Sequence, residues 1–380
     1  MLYLSAATFF IFGIVLVLLG ATQAALASDL ALDLTTSGFL GAALALGLGA
    51  GVLVGGPLAD RFARGPVFVG SCLVAAAGLL AVDVGRSYAV IVACILLIGL
   101  GCGIYETIVN AAIADRYRTR TASALAIVHS AATLGACVGP VLVQVLHGDR
   151  HWSASFHALG YAHCVFALCG GLASFGRAKH EDGAHVHVPA ATWLASPVLP
   201  ALAIVAFAYV GVENGLTLFA VPLAQSRAET ESAGQWSIST FWLGLLVGRI
   251  ALVLRPVTRG WSLLAANGIG GGLMLCAMSA APLGPLAAAT ALAGLALGPV
   301  YPLMITLVAQ RFPTATGTAV GLVASAGAAG GFAVPWLVGA LGDSFGVRPA
   351  IIVLAAHAVL LSVAALALAR REAGRLHSPL

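Results

Sequence analysis

Apolar residues run through this chain in stretches of about twenty, each cut off by a short polar or charged segment. A hydrocarbon core about 30 Å thick needs about 20 apolar residues per helix. Twelve stretches reach that length: Leu4–Ala27, Phe39–Ala59, Pro66–Val82, Tyr88–Ala112, Ala122–Leu146, His157–Phe175, Pro197–Ala224, Gln235–Leu254, Trp261–Ala281, Pro285–Ala309, Thr316–Leu341 and Pro349–Ala369. They predict an all-α membrane protein of 12 transmembrane helices. Residues 1–176 carry the first six, 177–196 form a linker, and 197–380 carry the second six with a short tail.

Composition sharpens the class: 60% of residues are hydrophobic, 8% are charged, and mean hydropathy is +1.02. Such values lie outside soluble globular usage. No hydrophilic segment is long enough for a soluble catalytic or nucleic-acid-binding domain, and a lipid bilayer is the expected surrounding. The net charge of +4 is best read loop by loop.

Arg61, Arg64, Arg116, Arg118, Arg120, Arg177, Lys179, Arg255, Arg259, Arg311, Arg370, Arg371 and Arg375 fall on one side of the predicted spans, with Arg249 just inside the same ends. Arg86, Arg150, Arg227 and Arg348 fall on the other. The positive-inside rule makes the richer side cytoplasmic. Both termini and the linker are therefore expected in the cytoplasm, in a multi-pass protein of the inner membrane. The basic surplus encodes orientation and implies no nucleic-acid partner.

The first apolar run ends in Ala25, Leu26 and Ala27, small residues like those at a secretory cleavage site. No Lys or Arg precedes the run, so it is read as a retained helix. Its removal would also break an internal symmetry. An offset of 195 positions aligns Gly99 with Gly294, Gly103 with Gly298, Arg116 with Arg311, Thr119 with Thr314, Thr121 with Thr316, Ser130 with Ser325, Gly135 with Gly330 and Pro140 with Pro335. Helices four and five thus duplicate helices ten and eleven. Two parallel six-helix halves are the architecture of a secondary transporter that rocks about a midplane site.

The loop after the second helix carries Gly56, Leu58, Ala59, Asp60, Arg61 and Arg64. It resembles the loop signature of the major facilitator superfamily, and the resemblance extends over the whole chain. Ala63 stands where that signature usually has glycine, and Gly65 where a basic residue is common. The resemblance implies that Asp60, Arg61 and Arg64 hold an inner gate, with Arg249 after Gly248 as a degenerate second copy. A narrower set, Glu106, Thr107 and Asn110 in helix four, Tyr209, Val210, Gly211 and Glu213 in helix seven, and His129 in helix five, is similar to the fucose-permease-like branch of sugar/proton symporters. That branch's symporter has a further acid in its first helix, where this chain has Gln23 as the nearest polar residue.

Membrane energetics select the same glutamates without the family. Ionisable groups inside a bilayer are costly and face a cavity or a partner. Of fourteen acids, Glu106 and Glu213 sit well within predicted spans. Glu106 precedes Arg116 by ten residues, about 15 Å along a helix, and so lies near mid-membrane. Both are expected as proton-coupling residues. A packing role for Glu106, and a substrate-binding or arginine-pairing role for Glu213, stay open. Asn110 follows Glu106 by one turn and Tyr209 precedes Glu213 by one turn, giving each acid a neighbour on its own face.

Sites for polyhydroxylated ligands combine amide and carboxylate groups with aromatic surface. Gln23, Tyr105, Asn110, His129, Tyr209, Asn214, Trp242, Tyr301 and Trp336 are the candidate substrate-binding residues. The run from Gly135 to Pro140 resembles the glycine and proline motif of proton-coupled drug exporters, but Leu142 and Val143 replace its following glycine pair. It reads as a hinge and packing element, as do Gly327, Gly330, Gly331 and Pro335. Met274, Cys276 and Met278, and the linker residues His180, His185 and His187, are better explained by packing and solvation than by metal. The seven cysteines lie within predicted helices and outline no disulfide or zinc framework.

No phosphate-binding loop, HExxH pair or activated nucleophile is present, so the chain is not expected to be an enzyme or to need a cofactor. The expected function is secondary transport of a small solute, a sugar or sugar-like polar metabolite, driven by a proton gradient and carried by a monomer. An exporter of amphipathic compounds, an uncoupled facilitator and a sensor on the same fold are the alternatives.

Overall fold

The computed structural model describes residues 1–85, 87–117, 120–147, 151–172, 196–254, 259–280, 284–312 and 316–376. Among them are 12 helices long and apolar enough to cross a membrane. They are α1 (Leu2–Leu30), α2 (Leu34–Arg61), α3 (Arg64–Ala81), α4 (Tyr88–Arg116), α5 (Thr121–His147), α6 (Ser153–Leu172), α7 (Val198–Ser226), α8 (Glu231–Val253) and α9 (Gly260–Ser279). The span α10 (Leu286–Arg311) is interrupted between Leu297 and Val300. After it come α11 (Thr316–Phe345) and α12, a turn at Val347–Ala350 continued by Ile352–Leu376. The expected linker lies outside the described residues apart from its last position, as do Arg86, Arg118, Arg150 and Arg255.

Several helices begin earlier than hydropathy predicts, and capping explains two of them. At α2 the carboxylate of Asp33 accepts from the Thr36 amide, adding a turn of Thr and Ser before the apolar run. At α8 the Thr230 hydroxyl accepts from the Ala233 amide, so the helix opens at Glu231 rather than near Gln235. The break in α10 falls at Gly298 and Pro299; proline has no N–H to give to the preceding turn.

Packing repeats with a shift of six helices. In the first half α1 packs on α5, α2 on α4, and α3 on α4 and α6; in the second half α7 packs on α11, α8 on α10, and α9 on α10 and α12. The aligned glycines make equivalent contacts. A Cβ on Gly99 would lie 2.4 Å from the Leu44 carbonyl oxygen of α2, and one on Gly294 would lie 2.1 Å from the Phe241 oxygen of α8. Likewise a Cβ on Gly135 would run into the Phe10 oxygen of α1, and one on Gly330 into the Phe207 oxygen of α7. Helices in lipid gain little from hydrophobic burial and rely on such close approach. The repeat read from the sequence is thus a repeat of backbone contacts.

The halves meet along α2 and α11, α5 and α8, and α1 and α7. Contact is closest away from the arginine-rich loops. Asp343 at the end of α11 accepts from the amides of Leu34 (2.9 Å) and Thr35 (2.8 Å) and from the Thr35 hydroxyl. Gln144 donates to Ser232 (2.9 Å), and Gln235 donates to the Ala21 carbonyl (2.8 Å). Gly20 lies against the Thr217 carbonyl and Gly38 against that of Pro335. Toward the arginine-rich end α2 and α11 part: Gly49 still meets Ala328, whereas Gly56 and Gly321 face open space.

Candidate functional site

Mid-membrane polar groups from both halves face one another in the parted region. In the second half, Tyr209 sits one turn before Glu213 on α7 and donates to its carboxylate at 2.5 Å. Arg249 reaches over from α8, donating to the Tyr209 hydroxyl at 3.3 Å and lying 3.7 Å from Glu213. Its other terminal nitrogen crosses to α5 of the first half and donates to the Thr133 hydroxyl at 2.8 Å. The Nε of Arg249 is buried without a hydrogen-bond partner among the described residues. The ring of Tyr301, just past the break in α10, lies 6.0 Å from that of Tyr209.

The first half supplies Glu106, Asn110 and His129. Glu106 is half-buried and has no hydrogen-bond or ion-pair partner among the described residues. Asn110, one turn on, has a buried side-chain oxygen that is also unpartnered. His129 is exposed in the middle of α5, its ring edge-on to Phe9 at 5.2 Å, within electrostatic reach of Arg249. Tyr301 is within such reach of Glu106, Glu213 and Arg249 together. The 195-residue offset that relates the halves carries Glu106 onto Tyr301, so symmetry-related positions meet across the site.

Beyond this cluster, toward the closed end, lies a cleft lined by Leu16, Leu19, Leu44, Leu48, Asn214 and Leu218, with Gly20, Gly41, Ala45, Thr217 and Pro335 completing it. Asn214 is its one amide. Gly331 makes room for that side chain: a Cβ there would lie 2.6 Å from its nitrogen.

Four expected substrate-binding residues stand elsewhere. Tyr105 is fully buried inside the first half, bonded to Cys102 and packed on Phe12, Phe68 and His163. One residue along a helix is about 100° of rotation, so a face that presents Glu106 turns Tyr105 away. Gln23 is buried and donates to Ser37 at 3.4 Å, joining α1 to α2 at the closed end. Trp242 is buried and gives its indole N–H to Thr217 at 3.2 Å. Trp336 is 45% exposed and lies outside the cleft lining.

The expected gating residues also separate. Asp60 and Arg61 are exposed and make no hydrogen bond or ion pair among the described residues. Arg64 is buried and pairs with Asp115 at the end of α4, at 2.7 Å. Arg249, expected near the arginine-rich surface, extends its guanidinium to the mid-membrane cluster instead. Sequence reasoning did not single out Thr133; its position one turn after His129 on the same face of α5 was the available signal.

A family model described as Major Facilitator Superfamily matches residues 4–266. No curated protein matches in sequence. Among solved structures, the chain is similar to a bacterial homologue of the human lysosomal transporter Spinster in an inward-facing, unoccupied conformation, with a TM-score of 0.81, 14% identity, and coverage of 100% of this chain and 98% of that one. It is also similar to the nucleoside transporter NupG, with a TM-score of 0.78, 14% identity and coverage of 96% and 98%. A D-xylose-proton symporter matches with a TM-score of 0.74, 15% identity and coverage of 95% of each chain. At these identities the likeness is one of fold.

Proposed function

Because the chain belongs to the Major Facilitator Superfamily, we propose that this transporter moves a small polar solute, of sugar or sugar-like chemistry, in company with a proton. The observation that carries the reading is the contrast between two mid-membrane acids. Glu213 is engaged by Tyr209 and Arg249, whereas Glu106 has no partner among the described residues. A carboxyl group so placed can exchange a proton as water or solute enters. Glu106 is therefore the proton carrier, and Glu213 with Arg249 shapes the site.

Asn110, His129, Asn214 and Tyr301 offer the solute amide, imidazole and aromatic surface from both halves, while the expected substrate contact Tyr209 is buried and instead orders Glu213 and Arg249. Asp60 and Arg61, without partners among the described residues, and Arg64, anchored on Asp115, form the latch that closes when the arginine-rich ends come together. With that side cytoplasmic, the described state opens inward in an inner-membrane protein whose two termini lie in the cytoplasm. One chain supplies both walls of the site, which supports function as a monomer.

A second reading has its own observation. The leucine-rich cleft beyond Asn214 suits the apolar part of an amphipathic compound, as in a proton-exchanging exporter. A thermal-shift screen of purified protein against monosaccharides, nucleosides and lipophilic cations separates the two, followed by proteoliposome uptake with and without an inward proton gradient. Stabilisation by a sugar with gradient-driven uptake is expected. A lipophilic-cation hit with movement toward the acidic side would replace the symporter with the exporter, and uptake indifferent to the gradient would remove proton coupling.

A further inference from the structure

Arg249 is the residue in which the two halves share a charge. Its own half offers Tyr209 and Glu213, and a guanidinium beside a carboxylate is best satisfied by two parallel hydrogen bonds. That geometry is not adopted. The closest approach to Glu213 is 3.7 Å, and the carboxylate takes its short bond from Tyr209. One terminal nitrogen of Arg249 is directed to Thr133 of α5.

Thr133 is built to receive it. The residue is buried, and its hydroxyl donates to the His129 carbonyl one turn back at 3.1 Å. The hydroxyl proton is thereby occupied, and the oxygen lone pairs are left for the arginine. The contact lies on the seam where α5 meets α8, deeper than the Gln144–Ser232 bond of the closed end. When the halves rock and the closed end opens, α5 and α8 must shift against each other. The Thr133–Arg249 distance then changes, while the α7 partners of Arg249, Tyr209 and Glu213, travel with it.

We propose that Thr133 is a positioning residue that divides Arg249 between the halves, holding the guanidinium out of a two-bond pairing with Glu213 while the arginine-rich end is open and releasing it when that end closes. The mid-membrane ion pair is then tight in one state and loose in the other. The inference rests on the reading of the chain as a rocking transporter, and it names the contact that ties site charge to conformation.

The test needs neither substrate nor proton gradient, so it stands or falls apart from the choice of solute and from the role of Glu106. Spin labels on unnatural amino acids at exposed Val84 and Phe345 leave the seven cysteines in place. Pulsed electron paramagnetic resonance on the full chain in nanodiscs then reads the separation of the halves at the closed end. Thr133→Val keeps the shape and removes the acceptor; it should raise the population in which the end closed here is open about tenfold, the scale of one hydrogen bond to a charged group. Thr133→Ala should follow it, and Thr133→Ser should restore the wild-type distribution. In an Arg249→Met, Glu213→Gln background, Thr133→Val should move nothing. Wild-type distances in Thr133→Val, an equal loss in Thr133→Ser, or an undiminished shift in the neutral background would each overturn the assignment.

Discussion

Tyr209 stands one helical turn before Glu213 and gives it the phenolic proton, while accepting from Arg249 on the other side of the same oxygen. The phenol therefore bridges a cation and an anion that are 3.7 Å apart. Tyr209→Phe removes the bridge without opening a cavity. Loss of a hydrogen bond to a charged group costs about 1.5–3 kcal/mol, less where the group is part-exposed as here, so thermal unfolding in detergent should move to lower temperature. Glu213→Gln combined with Tyr209→Phe should cost less than the sum of the two, since both changes remove one interaction.

Glu106→Gln keeps the size of the side chain and removes its titration. Accumulation driven by an inward proton gradient should be lost, while exchange of labelled for unlabelled solute persists. Proteoliposome uptake and counterflow measured side by side check this. Gradient-driven accumulation at the wild-type rate would take the proton from Glu106.

Asp343 fastens the start of α2 to the end of α11 with two amide bonds and one hydroxyl bond. The carboxylate also faces the positive end of the α2 dipole. Asp343→Asn should loosen closure at this end and favour the state open there, read as faster exchange of the Leu34 and Thr35 amides by hydrogen–deuterium mass spectrometry. Exchange unchanged from wild type would confine Asp343 to a surface role.

Acid should weaken the same helix end through a different residue. Hydrogen bonds from the Thr36 side chain and amide hold the Asp33 carboxyl below its ordinary value of 3.8. A depressed folded-state pKa means stability that is present above the unfolded value and is lost as pH falls through the folded one. Thermal stability should therefore decline on acidification below roughly pH 4, and Asp33→Asn, which keeps a capping oxygen, should show a smaller decline. Equal declines in the two proteins would assign the acid sensitivity to other carboxylates.

Glycines divide into two kinds with opposite expected tolerance. Gly294→Ala places a methyl group 2.1 Å from a backbone oxygen of α8 and must push helices apart; Gly56→Ala and Gly321→Ala meet open space. The first should lower yield and melting temperature, and the other two should not. Fluorescence size-exclusion profiles after heating distinguish them.

Hydropathy made the twelve spans legible, because length and apolarity are all that a span requires. The repeat was legible too, since the aligned glycines are fixed by backbone contact and tolerate no substitute. Helix starts were less so, for Asp33 and Thr230 act through caps that no hydropathy window registers. The arrangement of the candidate residues was half legible. Glu106, Asn110, Tyr209 and Glu213 follow from one-turn spacing on two helices. Arg249 was misplaced because a position near a helix end says little about where a long side chain delivers its charge. Tyr105 lies apart from the cluster because chain adjacency turns it about 100° from the face that presents Glu106. Asp343 and Thr35, 308 residues apart in sequence, meet only through the fold.

The glycine contacts have a mechanical meaning. Inside each half, helices touch backbone to backbone, where nothing can rotate out of the way; across the seam such contacts, at Gly20 and Gly38, are joined by side-chain bonds from Asp343, Gln144, Gln235 and Arg249, which can let go one at a time. A molecule assembled this way yields along its midline before it yields within its walls. In the rocking motion proposed above, each half would keep its share of the polar cluster intact while the opening changes from one membrane face to the other.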